Sequence, residues 1–447
     1  MIAATFVIFL IAGVPIAFVL GATTCVYMLM TGNWDLIVLL AQRIFAGIDV
    51  FTLVCIPFFI LAGNLMNSGG LTPRLVKFCD LMVGSVRGGL AYVTVLVCML
   101  FGGVTGTAVS ETSGLGSVLI PSMIKDGYKK NFSAALVAIA STMGPIIPPS
   151  ITFLLYGVVS GTSIGALFLA GAIPGVLLGL SQMVLIRFYS RKMNFPKREM
   201  RYSIRETVRI ISDTVAALLF PIIIMGGILS GFFTPTEASS VAVFYALVCG
   251  FVIYKELRIR DLPKIFLESA MMSAGVLIII GIGSAFGWMM ANESVPKLFA
   301  GELLKISRNP YVLLLLINIL LLILGTFMEG SAIIIILTPV LFPLMTQMGI
   351  DPVHFGVIMV LNVIIGLCTP PVGLCLYIGC QIADTSLEEI SRAIFPFVLA
   401  ALCVLAIVTY FPELVMFLPN LFLGFNLMGE IKVACIDTLI LLIHSVA

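Results

Sequence analysis

The sequence predicts an all-α integral membrane protein built from two inverted repeats, and three observations lead to this fold class. Of its 447 residues, 60% are hydrophobic and only 10% are charged, whereas soluble domains carry about 25% charged residues. Apolar runs of roughly 20 residues, which cross a bilayer as helices, recur along the chain. Several segments of the first half also reappear in the second. The net charge of +2 gives no reason to expect nucleic acid as a partner.

The apolar runs are of two kinds. Nine are interpreted as membrane crossings: Ile2–Met30, Phe51–Met66, Ala134–Val159, Ala166–Phe188, Val215–Gly231, Val241–Tyr254, Met271–Met290, Phe355–Ile378 and Ile394–Phe417. Two longer runs, about 89–123 and about 311–348, carry polar residues midway, and each predicts a re-entrant hairpin whose tip is covered by protein. Three amphipathic segments are predicted to lie along the membrane surface: Gly32–Ile48, Leu71–Gly84 and Val295–Ser307.

The distribution of positive charge predicts the orientation in the membrane. The densest basic run lies between Arg187 and Arg209 and is expected to face the cytoplasm. Threading the crossings outward from it places Lys255–Lys264 on the same side, together with both ends of the first hairpin at Arg87 and Lys125. Both ends of the second hairpin are then outside, the N-terminus is cytoplasmic and the C-terminus is outside.

An internal repeat is the most informative pattern. Leu119–Met123 matches Leu341–Met345, and Gly144–Pro149 matches Gly366–Pro371 at the same offset. In the threading above, an odd number of crossings separates the matched segments, so the two halves are expected to have opposite orientations. Many secondary transporters share such an inverted repeat, with their sites near the midplane at broken helices.

The repeat also defines the predicted domain organisation. Residues 1–210 form the first repeat and 211–423 the second, and 424–447 form a tail outside the pattern. A slightly longer offset, by two positions, pairs Gly106–Ala108 with Gly330–Ala332 and Gly63–Met66 with Gly287–Met290.

The two Gly–Pro stretches are predicted to break their helices. A proline lacks the amide proton and clashes with the preceding turn, and both stretches lie mid-span, in the runs at about 134–159 and about 355–378. The freed carbonyls suit a hard cation such as sodium, and the freed helix N-termini suit a carboxylate. Ser141, Thr142, Asn362 and Thr369 supply nearby side-chain oxygens. The alternative is a pair of packing kinks, which are common in membrane helices.

Each predicted hairpin tip carries one carboxylate, Glu111 or Glu329. A buried charge in a membrane is costly and usually pairs with an ion, a proton or a partner residue; the alternative is a carboxylate that faces an aqueous cavity. Glu237 follows Thr234 in a Thr-Pro-Thr-Glu stretch, which suits a helix cap at least as well as a substrate contact.

Together these residues resemble the large membrane subunit of tripartite ATP-independent periplasmic (TRAP) transporters, over about residues 2 to 423. The stretches that carry the resemblance are Ile56–Gly63, Thr105–Ala108, Gly114–Gly116, Gly144–Ser150, Gly231–Ala238 and Thr369–Gly373. It implies an elevator-type fold in the bacterial inner membrane, with a periplasmic C-terminus, and a sodium-driven importer of an organic acid. The implied partners are a small four-helix membrane subunit and a soluble periplasmic substrate-binding protein.

The resemblance also implies where sodium binds, namely where each hairpin tip meets a broken helix. By position, the sodium ligands are Thr105, Gly106, Thr107, Glu111, Gly144 and Pro145 at one site, and Gly325, Glu329, Gly366 and Thr369 at the other. The family often has Asp where this chain has Glu111. No organic cofactor is expected.

An acid pocket is predicted between the two broken segments. Its residues are Ser141, Thr142, Pro148, Pro149, Ser150, Asn362, Thr369, Pro370 and Pro371. The expected function is sodium-coupled import of sialic acid, a C4-dicarboxylate or a similar carboxylate. One alternative is a stand-alone sodium- or proton-coupled carrier that needs no binding protein. An intramembrane enzyme is disfavoured because the sequence has no His-Glu-x-x-His or Gly-x-Ser-x-Gly motif and only two histidines.

Overall fold

The computed structural model describes residues 2–32, 36–193, 195–197 and 202–424, and every regular element in them is a helix. This confirms the all-α prediction. The predicted tail lies outside the described residues, apart from Gly424.

The helices of the first half follow the predicted runs closely. In chain order they are α1 (Ile2–Ile11), α2 (Ile16–Thr31), α3 (Leu36–Ile48), α4 (Cys55–Ser68), α5 (Leu71–Val83), α6 (Gly89–Thr105), α7 (Ala108–Lys125), α8 (Lys130–Ala140), α9 (Ile151–Ser160) and α10 (Ile164–Lys192). Helices α6 and α7 form the first hairpin, and α8 and α9 are the two parts of the first broken helix. Short 3-10 turns precede α4 and follow α8.

The second half repeats the order of scaffold helix, arm, hairpin and broken helix. Its helices are α11 (Ile204–Leu229), α12 (Pro235–Val248), α13 (Leu262–Asn292), α14 (Val295–Ile306), α15 (Pro310–Phe327), α16 (Gly330–Gln347), α17 (Pro352–Gly366), α18 (Leu374–Ala383), α19 (Leu387–Tyr410) and α20 (Pro412–Leu423). Helices α15 and α16 form the second hairpin, and α17 and α18 the second broken helix. The three predicted amphipathic arms are the separate helices α3, α5 and α14.

Two predicted crossings are wrong as single helices. The first run divides between α1 and α2, where Gly13 has a φ of +74° and Pro15 precedes the first residue of α2. The last run divides between α19 and α20 at Pro412. In both places a proline cannot continue the hydrogen-bond ladder of the helix before it, and its fixed φ suits the first turn of the next helix.

The outer surface of the bundle is apolar. Eight described helical segments are long and apolar enough to cross a membrane. In α11 and α13 most residues of the apolar stretch point away from the protein interior, and large side chains such as Ile222 and Phe266 are exposed there. Apolar surface of this extent marks contact with a membrane or another protein, and the spanning-length segments identify the chain as an integral membrane protein.

The structure keeps the register of the repeat through both hairpins. The first residues of α7 and α16 (108 and 330) are as far apart in sequence as their last residues (125 and 347). The first residues of α8 and α17 (130 and 352) have the same separation. The longer offset predicted at the tips is therefore wrong: Glu329 takes the place of Thr107, and Ile333 takes the place of Glu111.

The two broken helices run through the centre of the molecule. Every residue from Phe132 to Ala140 in α8 and from Val353 to Gly366 in α17 is buried. The packing around them is reciprocal, because α7 lies against α18 while α16 lies against α9. Each hairpin therefore contacts the broken helix of the other half as well as its own. Such reciprocal contacts are expected when the two halves are related by a two-fold axis.

Candidate functional site at the hairpin tips and helix breaks

The first hairpin tip lies directly on the first helix break. Gly106 ends α6 with a φ of +64°, a conformation that favours glycine. A Cβ atom added to Gly106 would lie 3.1 Å from the Ile151 nitrogen and 3.2 Å from the Pro149 carbonyl oxygen. A larger residue would push the tip off the break, so glycine serves here both for the turn and for the close approach.

Glu111 is the most unusual side chain at this tip. It is fully buried, with 0% of its surface exposed. The Thr105 hydroxyl donates to Glu111 Oε1 at 3.0 Å, whereas Glu111 Oε2 has no hydrogen-bond partner among the described residues. The buried hydroxyl of Thr107, the N-cap residue of α7, also lacks a partner in the described part of the chain. Buried polar atoms without partners are rare, so this pair of oxygens indicates a position prepared for a ligand.

The first break brings its backbone against the same carboxylate. A Cβ atom on Gly144 would collide with the Glu111 carboxylate, so glycine is required for this contact. The Ser150 hydroxyl donates to the Pro145 carbonyl at 2.5 Å and accepts from the Phe153 N–H at 3.1 Å, which starts α9 with a side-chain cap. The structure thus places Thr105 and Gly144 against Glu111 and Gly106 against the end of the same break, and sodium binding there stays a prediction.

The second break meets the second hairpin in a similar way. A Cβ atom on Gly325 would lie 3.0 Å from the Gly366 Cα, so the two backbones touch. The Gly373 N–H donates to the Thr326 carbonyl at 3.2 Å, which ties the far end of the break to the tip. This break is the more open of the two, because Pro371 is exposed whereas Pro148 and Pro149 are buried.

Glu329 differs from Glu111 in its surroundings. It is the N-cap residue of α16 and only partly buried. One of its carboxylate oxygens accepts from the Ser331 hydroxyl at 2.9 Å and the other from the Ala332 N–H at 3.2 Å. Both oxygens are therefore partnered, and the role of Glu329 as a sodium ligand stays a prediction.

The side-chain amide of Asn362 bonds to a neighbouring helix, and its contact with a substrate stays a prediction. This amide donates to Asn318 Oδ1 at 2.7 Å and to the Ile358 carbonyl at 2.9 Å, and Asn318 in turn donates to the Thr409 hydroxyl at 3.0 Å. This buried chain joins α17 to α15 and α19. Sequence reasoning did not select Asn318, although a polar residue inside an apolar membrane run is a signal for such a role.

The remaining predicted pocket hydroxyls are bonded to carbonyls of their own segments. Ser141 donates to the Val137 carbonyl at 2.8 Å, and Thr142 donates to that of Ile139 at 2.6 Å. Thr369 donates to the Ile365 carbonyl at 2.7 Å. Ser141 and Thr142 are fully buried. Contact of these three residues with a substrate stays a prediction.

The two broken helices lie next to each other. The Cys368 thiol, within the second break, donates to the Ala138 carbonyl of α8 at 3.1 Å. On the other side of the first tip, a cavity of about 10 Å³ is lined by Ile60, Gly63, Asn64, Thr105, Thr107, Ser110 and Met272. It has room for roughly one water molecule. Asn64 was missed as a lining residue, although it lies in a repeated segment.

The fold is similar to that of a solved membrane transporter. The YdaH transporter of Alcanivorax borkumensis has a similar solved structure, with a TM-score of 0.56 and 17% identity over 85% of this chain and 88% of that chain. In sequence, residues 3–414 match the family described as the tripartite ATP-independent periplasmic transporter, DctM component.

Two relatives are similar over most of their length. The chain is 42% identical to the sialic acid TRAP transporter large permease protein SiaM of Vibrio cholerae, over 93% of this chain and 97% of that protein. It is 41% identical to the C4-dicarboxylate TRAP transporter large permease protein DctM of Pseudomonas aeruginosa, over 85% of this chain and 89% of that protein. The chain therefore belongs to the family of TRAP transporter large permease subunits. These relatives are transporter permeases, which fits the expectation of a non-enzymatic role.

Proposed function

We propose that this chain is the translocating subunit of a sodium-coupled, binding-protein-dependent importer of an organic acid. The observation that carries the proposal is the position of Glu111. Within the described residues, this fully buried carboxylate has one oxygen without a hydrogen-bond partner, as has the Thr107 hydroxyl one helical turn before it, and both oxygens are available to a small cation. An uncompensated charge is costly in a membrane interior, and a bound sodium ion supplies the compensation.

Sodium also accounts for the composition of the first tip. Thr105 and Thr107 supply hydroxyl oxygens, Gly144 brings backbone against the carboxylate, and no histidine or cysteine is needed for a hard cation. At the second tip we propose a weaker counterpart at Gly325, Gly366 and Thr369, where backbone carbonyls contribute most of the ligands. Glu329 serves there mainly as the cap of α16.

The acid is proposed to bind between the breaks. Helices α9 and α18 both begin at a break, after Ser150 and Gly373, and the positive end of a helix stabilises a carboxylate. Binding of sodium orders both tips and so completes this pocket. The names of the relatives favour sialic acid or a C4-dicarboxylate as the substrate.

The partners follow from the family. A tripartite transporter requires a small membrane subunit, proposed to have four helices, and a soluble protein that delivers the acid from the periplasm. We place the complex in the bacterial inner membrane. Its hairpins and broken helices move together as a transport domain past a scaffold that includes α4 and α13.

The proposal is tested by uptake into liposomes that contain this chain and its small subunit. The binding protein is added outside with labelled sialic acid or succinate, and a sodium gradient is compared with an equal potassium gradient. We expect uptake at least tenfold faster with sodium. Equal uptake with potassium contradicts the sodium-coupled mechanism.

The same liposomes test the alternative of a stand-alone carrier. With sodium present, uptake is measured with and without the binding protein. We expect uptake at micromolar acid only when the binding protein is present, because that protein captures the acid and delivers it to the membrane subunits. Uptake that is unchanged when the protein is omitted identifies the chain as a stand-alone carrier.

A further inference from the structure

The two halves contain equivalent scaffold helices, each followed by a surface arm. Helix α4 ends at Ser68 and its arm α5 begins at Leu71, while α13 ends at Asn292 and its arm α14 begins at Val295. The two helix ends and the two arm starts have the same separation along the chain (68 to 292 and 71 to 295). Gly63 and Gly287 share it and are therefore equivalent positions, as the repeated segment in the sequence indicates.

Gly63 holds the first hairpin at its tip. A Cβ atom on this residue would lie 2.8 Å from the Val104 carbonyl oxygen and 3.5 Å from the Thr105 Cα. The backbone of the tip thus lies directly on α4, and no side chain fits between them. Gly63 is buried by this contact.

Gly287 meets the second hairpin at a different place. A Cβ atom there would lie 3.8 Å from Pro339 Cγ, in ordinary contact with the middle of α16 rather than with the tip. A cavity of about 330 Å³, lined in part by Gly283, Gly287, Ile335 and Pro339, lies along this boundary. Equivalent scaffold positions therefore contact their hairpins in two different registers.

We propose that Gly63 and Gly287 are the two sliding contacts of transport and that the second transport state exchanges their registers. At the offset of the hairpins, Thr326 is the equivalent of Val104 and Ser117 is the equivalent of Pro339. In the second state, therefore, Gly287 lies on the Thr326 carbonyl. Gly63 then faces Ser117. Ser117 is exposed in the present state, so it is free to make this contact. The inference rests on the proposed transport function. It adds to that function the two scaffold residues whose hairpin contacts change between the transport states.

The exchange also sets the distance of travel. Ser117 lies ten residues after Thr107, the N-cap residue of α7 (107 to 117). At a rise of about 1.5 Å per residue, the hairpin slides by about 15 Å relative to α4. A glycine at each contact allows the tip backbone its closest approach in one of the two states, so a cysteine there is expected to slow uptake without stopping it.

The register exchange is tested with two cysteine pairs in a variant that lacks the native cysteines and retains uptake. Gly287→Cys with Pro339→Cys reports the present state, and Gly63→Cys with Ser117→Cys reports the exchanged state. Neither pair includes a proposed sodium ligand. We expect both pairs to form disulfides with copper phenanthroline, each to abolish uptake, and reductant to restore it. Gly275→Cys with Ser117→Cys is the control and is expected not to cross-link, since Gly275 faces open space among the described residues.

A second measurement covers the case in which Gly63→Cys impairs folding. Spin labels at Met272→Cys and Ser117→Cys report the same motion, because Met272 lines the cleft at the first tip. We expect two distance populations whose ratio changes when sodium and acid are added. A single unchanged distance in protein that transports, or cross-linking of only the first pair in such protein, overturns the register exchange.

These outcomes are distinct from failure of the proposed function. Sodium-dependent uptake with no exchange of registers leaves the transport function in place and rejects the sliding contacts. Exchange of registers together with equal uptake in potassium retains the sliding contacts and rejects sodium coupling.

Discussion

Glu111 and Glu329 illustrate what a residue's neighbours add to its identity. Both are single carboxylates at hairpin tips, and the sequence predicts the same role for both. Within the described residues, Glu111 lies inside α7 with an unpartnered oxygen, whereas Glu329 is the N-cap of α16 with both oxygens partnered. The difference arises because the tips keep the same offset as the rest of the hairpins (108 to 330), which brings Glu329 level with Thr107. The sequence around each residue therefore does not show that Glu329 is a helix cap and that Glu111 is a buried carboxylate.

The first prediction concerns the charge of Glu111. Glu111→Gln keeps the side-chain volume and an oxygen that can accept from Thr105, but it removes the negative charge. Loss of an interaction with a charged group costs about 2 kcal/mol, so we expect the sodium concentration for half-maximal uptake to rise by roughly 30-fold. The measurement is uptake against external sodium, with the folded amount checked by size-exclusion chromatography.

Glu329→Gln is the matched control for this prediction. Its side chain can still accept from the Ala332 N–H. We therefore expect the sodium concentration for half-maximal uptake to change by less than about threefold, as for a weakened helix cap. Equal shifts in the two variants would mean that Glu111 has no special role in sodium binding.

At the scale of elements, the helix breaks were predicted closely while the contacts between elements were not. Both breaks occur at the Gly–Pro stretches, because proline and glycine act on the backbone of their own turn. Pro15 and Pro412 ended helices too, but they lie nearer the ends of their runs, where composition alone suggested one continuous crossing. Asn362 was assigned to the acid pocket from its nearness to a break. Its partner Asn318 lies on another helix, and only the packing of the two helices reveals it.

The chain from Asn362 through Asn318 to Thr409 fixes the second hairpin to the core of its own half. At the offset of the hairpins, the first-half equivalents of Asn318 and Asn362 are Leu96 and Ala140, whose side chains cannot form such bonds. The second hairpin is therefore held at mid-helix by side-chain hydrogen bonds that the first hairpin lacks at the equivalent positions.

The second prediction follows from this chain. Asn318→Leu leaves one of the two N–H groups of the buried Asn362 amide without its acceptor, and an unsatisfied buried group costs about 1–3 kcal/mol. We expect a clear fall in the midpoint of thermal unfolding in detergent. The double variant Asn318→Leu with Asn362→Leu is expected to recover part of the loss, since both partners are then apolar. Additive losses in the double variant contradict a direct coupling between the two residues.

For the whole molecule, the contacts at one end agree with the shared side predicted from charge. Arg74 of α5 pairs with Glu256 at 2.7 Å, and the Gly88 N–H donates to the Pro196 carbonyl at 3.0 Å. The Tyr202 hydroxyl donates to Asp80 at 3.0 Å. The base of the first hairpin, the segment after α12, and Pro196 and Tyr202 from the loop after α10 therefore lie at one end of the bundle. Charge distribution predicted this shared side without knowledge of any contact.

The last prediction tests whether the repeat is inverted. Lys125 and Gln347 end the equivalent helices α7 and α16, and both are exposed. If the halves have opposite orientations, these equivalent residues lie on opposite sides of the membrane. In the cysteine-free variant, a membrane-impermeant maleimide added to intact spheroplasts is expected to label Gln347→Cys but not Lys125→Cys. Inverted vesicles are expected to give the reverse. Labelling of both residues from the same side would instead require a parallel repeat, in which hairpins entering from one face could not exchange their registers.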